Sequence, residues 1–184
     1  MKIRRFVAAA LLLIFAATFA AARRRDPLTD AEVDQLREAA QTPEQRIHLY
    51  VKFTRARMTA IEQLRGDPKL AGDRGQRIHD LLEDLTILLN EIGDNIDNYA
   101  GWDMRKPLKE VIEMDAEFQV KLRSIKEATD PATQAESADY KFALEDAIDA
   151  VNADADSSRQ TLEEQNKLAK EKKLKKPDCK TTKC

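Results

Sequence analysis

The sequence predicts an all-α protein, an antiparallel up-and-down helical bundle of about four long helices plus a short N-terminal helix, with a disordered basic tail. Three observations predict it. Only five glycines and six prolines occur in 184 residues, while 35% are charged and 42% apolar, a balance that suits amphipathic helices and denies a β-fold its turns. Aromatic residues reach 5%, so the core must be built from Leu, Ile, Val and Ala, which fits helix-on-helix packing. Apolar residues also recur in steps of four and three through most of the chain, the spacing that keeps one helix face apolar.

Composition divides the chain into residues 1–22, 23–168 and 169–184. The first part opens with Met-Lys-Ile-Arg-Arg and continues with seventeen uncharged residues, FVAAALLLIFAATFAAA. A basic start, an apolar stretch and small residues at Ala20 and Ala22 make a secretory signal peptide with an A-x-A cleavage site. The arginine run at 23–25 leaves an uncleaved membrane anchor as the rival, since seventeen residues fall just short of the usual span of about 20. Either reading places the body outside the cytoplasm, periplasmic or extracellular. The stretch from Lys167 through the tail holds eight lysines against Glu171 and Asp178. It is suited to anionic surfaces, although a lysine run is more often a solvated end.

With both basic ends set aside, residues 26–166 carry a net charge of −14. That acidity argues against nucleic acid as a partner. Cys179 and Cys184 both lie in the tail, where an exported chain oxidises its thiols, within the chain or between chains. The body has no cysteine, so its fold cannot rest on disulfides.

The helices follow in order. Thr29 and Glu32 form a capping box opening a short helix near 30–41. Thr42-Pro43-Glu44-Gln45 repeats the device with proline at the first helical position, starting a helix over 43–65. The loop 66–75, with three glycines, is the clearest break in the body. Asp73 and Gln76 are expected to cap the next helix, which reaches about Tyr99 with Ile78, Leu82, Leu85, Leu89, Ile92, Ile96 and Tyr99 along a coiled-coil seam. Gly93 is expected to weaken or bend its last turns. After the turn Ala100-Gly101-Trp102-Asp103, Pro107 sits in the first turn of a helix to about Ala128, with Asp115 as the one polar position on its apolar stripe. Asp130-Pro131 caps a last helix carrying Leu144, Ile148, Val151, Ala155, Ser158 and Leu162. The basic 43–65 segment and the acidic 73–99 segment are expected to pair. A heptad seam closes equally well within one chain or between two, so a homo-oligomer stays open.

Candidate sites are few. His48 with Glu44 and His79 with Glu83 share helical faces at four-residue spacing, but di-iron bundles use Glu-x-x-His, which is absent. The plainer reading is salt-linked surface groups. Asn152, Asp154, Asp156 and Glu163 match the first, third, fifth and twelfth places of an EF-hand calcium loop. Ser157 replaces the required glycine, however, and the apolar spacing runs straight through, which favours plain helix. Trp102 is either a partner anchor or a cap over the bundle end. Enzymatic motifs are absent: no G-x-S-x-G, His-Glu-x-x-His, phosphate loop or dinucleotide fingerprint. Catalytic, cofactor-binding and metal residues are therefore assigned as none.

Leu28-Thr29-Asp30-Ala31-Glu32 resembles the Leu-Thr-x-x-Gln motif of small helical periplasmic stress chaperones, with Glu32 in place of Gln. The resemblance covers five residues and implies a stress chaperone or sensor with an exposed apolar concave face. The residues themselves point first to a non-enzymatic interaction or structural protein of the cell envelope. A metal- or ligand-binding bundle is the remaining alternative.

Overall fold

The computed structural model describes residues 26–174 apart from 40, 41, 68, 70, 71, 129, 130 and 172. The signal segment, the arginine run, Asp130, Cys179 and Cys184 lie outside the described residues. Within them the chain is all-helical: α1 (Asp30–Ala39), α2 (Pro43–Gly66), α3 (Arg74–Asn98), α4 (Arg105–Lys126) and α5 (Pro131–Lys170). These are the elements the apolar spacing predicts.

The start signals act largely as expected. Glu32 accepts a hydrogen bond from the Thr29 N–H at 2.8 Å, and Thr29 Oγ1 accepts from the Glu32 N–H at 3.3 Å. Thr42 and Gln45 make the same reciprocal pair ahead of Pro43. The Asp73–Gln76 box does not form. Asp73 occupies the cap position without a side-chain cap bond; its carboxylate lies 3.8 Å from Arg77, while Gln76 donates to Asp80 at 2.8 Å. Charged partners one turn along compete successfully for both side chains. Gly93 does not interrupt α3, which continues to Asn98.

α2 and α3 form an antiparallel hairpin, and so do α4 and α5. The 99–104 connection carries the chain across the bundle diagonal, so that α2 lies beside α4 and α3 beside α5. Both of these lateral pairs are parallel. Along α2 and α4, Glu44 meets Lys106, His48 meets Glu110 and Arg55 meets Glu117, always 62 residues apart. A constant separation is the mark of parallel helices in register. Gln165 of α5 secures the crossing. Its amide donates to Ala100 O at 3.0 Å and its carbonyl accepts from the Met104 N–H at 3.1 Å.

The seam of α3 is buried from Ile78 to Ile96, with Ile78, Leu82, Leu85, Leu89, Ile92 and Ile96 at most 5% exposed, and its last expected member, Tyr99, is partly buried. Leu108, Val111, Met114, Phe118 and Leu122 of α4 are 0% exposed. Each such side chain contributes about 1.5–3 kcal/mol by leaving water, so apolar burial dominates stability. Small residues set the spacing on α5, where Ala147, Val151 and Ala155 are buried. At Gly75 the approach of α5 is closer still. A Cβ there would fall 2.4 Å from Asp139 Oδ2 and 2.9 Å from Asp139 Cβ, whereas a Cβ at Gly93 would meet nothing within 4 Å.

A buried ion cluster ties the N-terminal arm to the first hairpin. Arg57 of α2 donates to both oxygens of Glu32, at 2.7 and 2.6 Å, and to Pro27 O at 2.5 Å. Its Nε lies 3.7 Å from Asp84 on α3. Burial works against the Glu32 carboxylate, but Arg57 and Thr29 outweigh it and hold it below the usual carboxylate range.

Two predictions follow from this packing. Gly75→Ala forces a shift of the Asp139 backbone region and should destabilise by about 1–3 kcal/mol, whereas Gly93→Ala should stabilise by about 0.5–1 kcal/mol through unfolded-chain entropy; urea unfolding of the two variants measures both. Arg57→Ala strands Glu32 and Asp84 and should cost about 3 kcal/mol, read as a lowered urea midpoint together with faster proteolysis of the arm before α2.

Candidate functional site

α4 places a carboxylate where the stripe pattern calls for an apolar residue. Asp115 follows Met114 on the inward face of α4 and is 0% exposed. Neither of its carboxylate oxygens has a hydrogen-bond partner. On α5, Asp154 Oδ2 is likewise buried and unpartnered, as is Ser158 Oγ, in a residue 2% exposed. Asp154 and Ser158 stand one turn apart, hence on the same face of α5. Gln119 of α4 donates to Asn152 of α5 at 3.0 Å. In antiparallel register that bond sets Asp115 level with residue 156 of α5, while Asp154, two residues and about 200° round the helix from Asn152, lies away from the α4 contact.

The electrostatics follow from the apolar lining. Val111, Met114, Phe118, Val151 and Ala155 are fully buried, and a carboxylate among them loses its hydration without gaining a donor. Burial, reinforced by the charge of Asp154 and opposed by Arg159, pushes Asp115 up to about 8. Burial pushes Asp154 up to about 6. Buried carboxylates without donors cost stability, and such positions are where functional groups are sought.

The other candidates are placed as follows. His48 Nδ1 lies 2.8 Å from Glu110 on α4, while His79 Nδ1 is 3.5 Å from Asp80 and its Nε2 3.9 Å from Glu83. The α2–α3 register, fixed where Arg57 meets Asp84, separates the two histidines by about four turns, or roughly 20 Å. They do not share a site. Of the EF-hand-like set, only Asp154 turns into the bundle. Asn152 accepts from Gln119, and Asp156 pairs with Arg159 at 3.2 Å, because continuous helix spreads these positions by about 100° per residue instead of converging them. Trp102 is partly buried against the core, in keeping with a cap over the bundle end. An open groove between α2 and α4 is lined by Arg65, Val120, Arg123, Ser124, Glu127 and Ala128.

Sequence reasoning singled out Asp115 as polar but missed its partners. Ser158 read as a weak core position, and Asp154 as one acid among many on a helix face. The available signal was the position of Asp154, one step off the apolar stripe beside Ala155 and one turn before Ser158.

Because both acids have pKa values raised in the folded state, the unfolded chain releases their protons near pH 4 while the folded chain keeps them. Their effect on stability is therefore most favourable below pH 4 and is lost as pH rises through about 6 and about 8. In chelating buffer the wild type should lose about 2 kcal/mol relative to Asp115→Asn between pH 6 and 8, a difference measured by urea unfolding at each pH.

No protein-family model, curated protein or solved structure matches this chain, so its function is read from its own fold and chemistry.

Proposed function

We propose that the chain is an exported, non-enzymatic interaction protein of the cell envelope, and that the broad α3–α5 face receives a cationic partner protein. The observation that carries this reading is a separation of charge between opposite sides of the bundle. α2 bears five cations against Glu44 and Glu62, a net +3, and α4 a net +2; α3 bears −4 and α5 −5. Since α2 lies beside α4 and α3 beside α5, one side of the bundle is basic and the other acidic. Such fields steer a complementary partner and reject a like-charged one.

Export rests on the basic and apolar N-terminal segment, whether cleaved after Ala22 or kept as an anchor. Among the described residues, no helix is long and apolar enough to cross a membrane. A chaperone would need a concave apolar surface. Among the described residues, the exposed large apolar side chains are Val120 and Phe142, at 69% and 76%, on different helices.

The test is capture of a binding protein from envelope extract on the immobilised chain. The expected partner is basic, is retained near 0.1 M salt and is released by about 0.5 M, as screening demands. Replacing the exposed Asp94, Asp97, Asp146 and Asp149 by Asn should weaken retention at least tenfold. Recovery of nothing, or equal retention by the variant, would refute the reading.

A further inference from the structure

The α4–α5 hairpin turns a charged surface outward. The Gln119–Asn152 bond fixes its antiparallel register, and in that register opposite charges fall at matching heights. Lys126 is level with Glu145, while Arg123 and Lys109 come within one residue of Asp149 and Glu163. Where α4 carries Glu113 in place of a cation, α5 carries Arg159, again within one residue of level. All eight are exposed except Glu145, which is half-buried. The match is not used inside the chain. None of the four pairs closes into an ion pair, and of the eight residues only Arg159 has a charged partner, Asp156 at 3.2 Å. Apolar surface lies alongside: Leu122 and Ile148 sit in the groove between the two helices, and the exposed Val120 and Phe142 stand on either helix.

We infer that this face is a two-fold interface, in which a second copy of the chain lays its α5 along α4 and its α4 along α5. A two-fold axis parallel to the helices keeps every residue at its own height, so the heights that match within one hairpin also match between two. Lys109, Arg123 and Lys126 of one copy then meet Glu163, Asp149 and Glu145 of the other, and Glu113 meets Arg159. Each contact is made twice, as a closed pair requires. The sign reversal at Glu113 and Arg159 makes the register specific. A slip of one turn sets Lys109 against Arg159 in one direction and Glu113 against Glu163 in the other, and like charges reject both. A foreign partner would have to reproduce this order of charges, whereas a second copy already carries it. The apolar side chains that solvent now surrounds gain cover in the same step.

The inference goes beyond the partner reading and fails separately from it, because a pure chain in solution holds no other protein to capture. The experiment is sedimentation equilibrium of the purified chain in about 0.1 M salt, with reductant present so that Cys179 and Cys184 form no bridges. Small, largely polar interfaces are weak, and the mass should pass from one chain to two between about 10 μM and about 1 mM and stop there. Arg123→Glu with Lys126→Glu should weaken the dimer at least tenfold, and so should Glu145→Lys with Asp149→Lys. An equimolar mixture of these two variants should recover it, since each then supplies the charge the other lacks. Phe142→Ser should weaken it severalfold and serves as the second probe if a charge variant loses the wild-type urea midpoint. A single-chain mass throughout would overturn the proposal. A dimer of equal strength in both charge variants would also do so, since it would place the contact in the apolar N-terminal segment or the tail. Failure of the mixture to recover the dimer, or growth beyond two chains, counts against the two-fold register.

Discussion

The bundle depends on one constraint, the requirement that the apolar stripe of α3 be covered on both flanks at once. Ile78, Leu82, Leu85, Leu89, Ile92 and Ile96 line a helix whose own partner in the hairpin, α2, covers only one side. α5 covers the other, and it does so closely because its contact positions are Ala147, Val151 and Ala155, with Gly75 facing Asp139. A bulky α4 seam, with Met114 and Phe118, fills the space left on the far side. Large residues on α3 and α4 against small ones on α5 give interdigitation at ordinary helix spacing.

The exposed ion pairs then set register and add little stability. The basic α2 segment was expected to seek the acidic α3 segment, and Arg57 does reach Asp84. Most of the interhelical pairs run instead from α2 to α4, through Glu44–Lys106, His48–Glu110, Arg55–Glu117 and Glu62–Lys121. Each is worth little in water, but a ladder with a fixed offset disfavours any slipped pairing. The net charge of a segment cannot reveal this, because neighbourhood is set by apolar burial and the charges pair with whatever that burial places nearby.

What was legible in the sequence follows the same division. Helix positions, the Thr29–Glu32 and Thr42–Gln45 caps and the α3 seam depend on residues close in the chain, and local spacing specifies them. The diagonal crossing at 99–104 was not legible, since it is fixed by Gln165, more than sixty residues away. The seam acids were half legible. Asp115 stood out because it interrupts an apolar stripe, whereas Asp154 became distinctive only through the burial of its Oδ2 in the folded bundle. The Asp73 cap failed for a local reason, the presence of Arg77 one turn later.

The parallel pairing of α2 with α4 and of α3 with α5 has a consequence for growth of the architecture. The second hairpin is nearly the first one shifted sideways, which is how solenoid arrays propagate, and a sideways shift has no natural end. Here α1 seals the outer edge of the first hairpin, held by the Glu32–Arg57 pair. At the opposite edge, α4 and α5 present a groove lined by Gln119, Arg123, Lys126, Glu127 and Asn152 around Leu122 and Ile148. An added helix, from a duplicated gene segment or a designed fusion, would have to meet that largely polar lining.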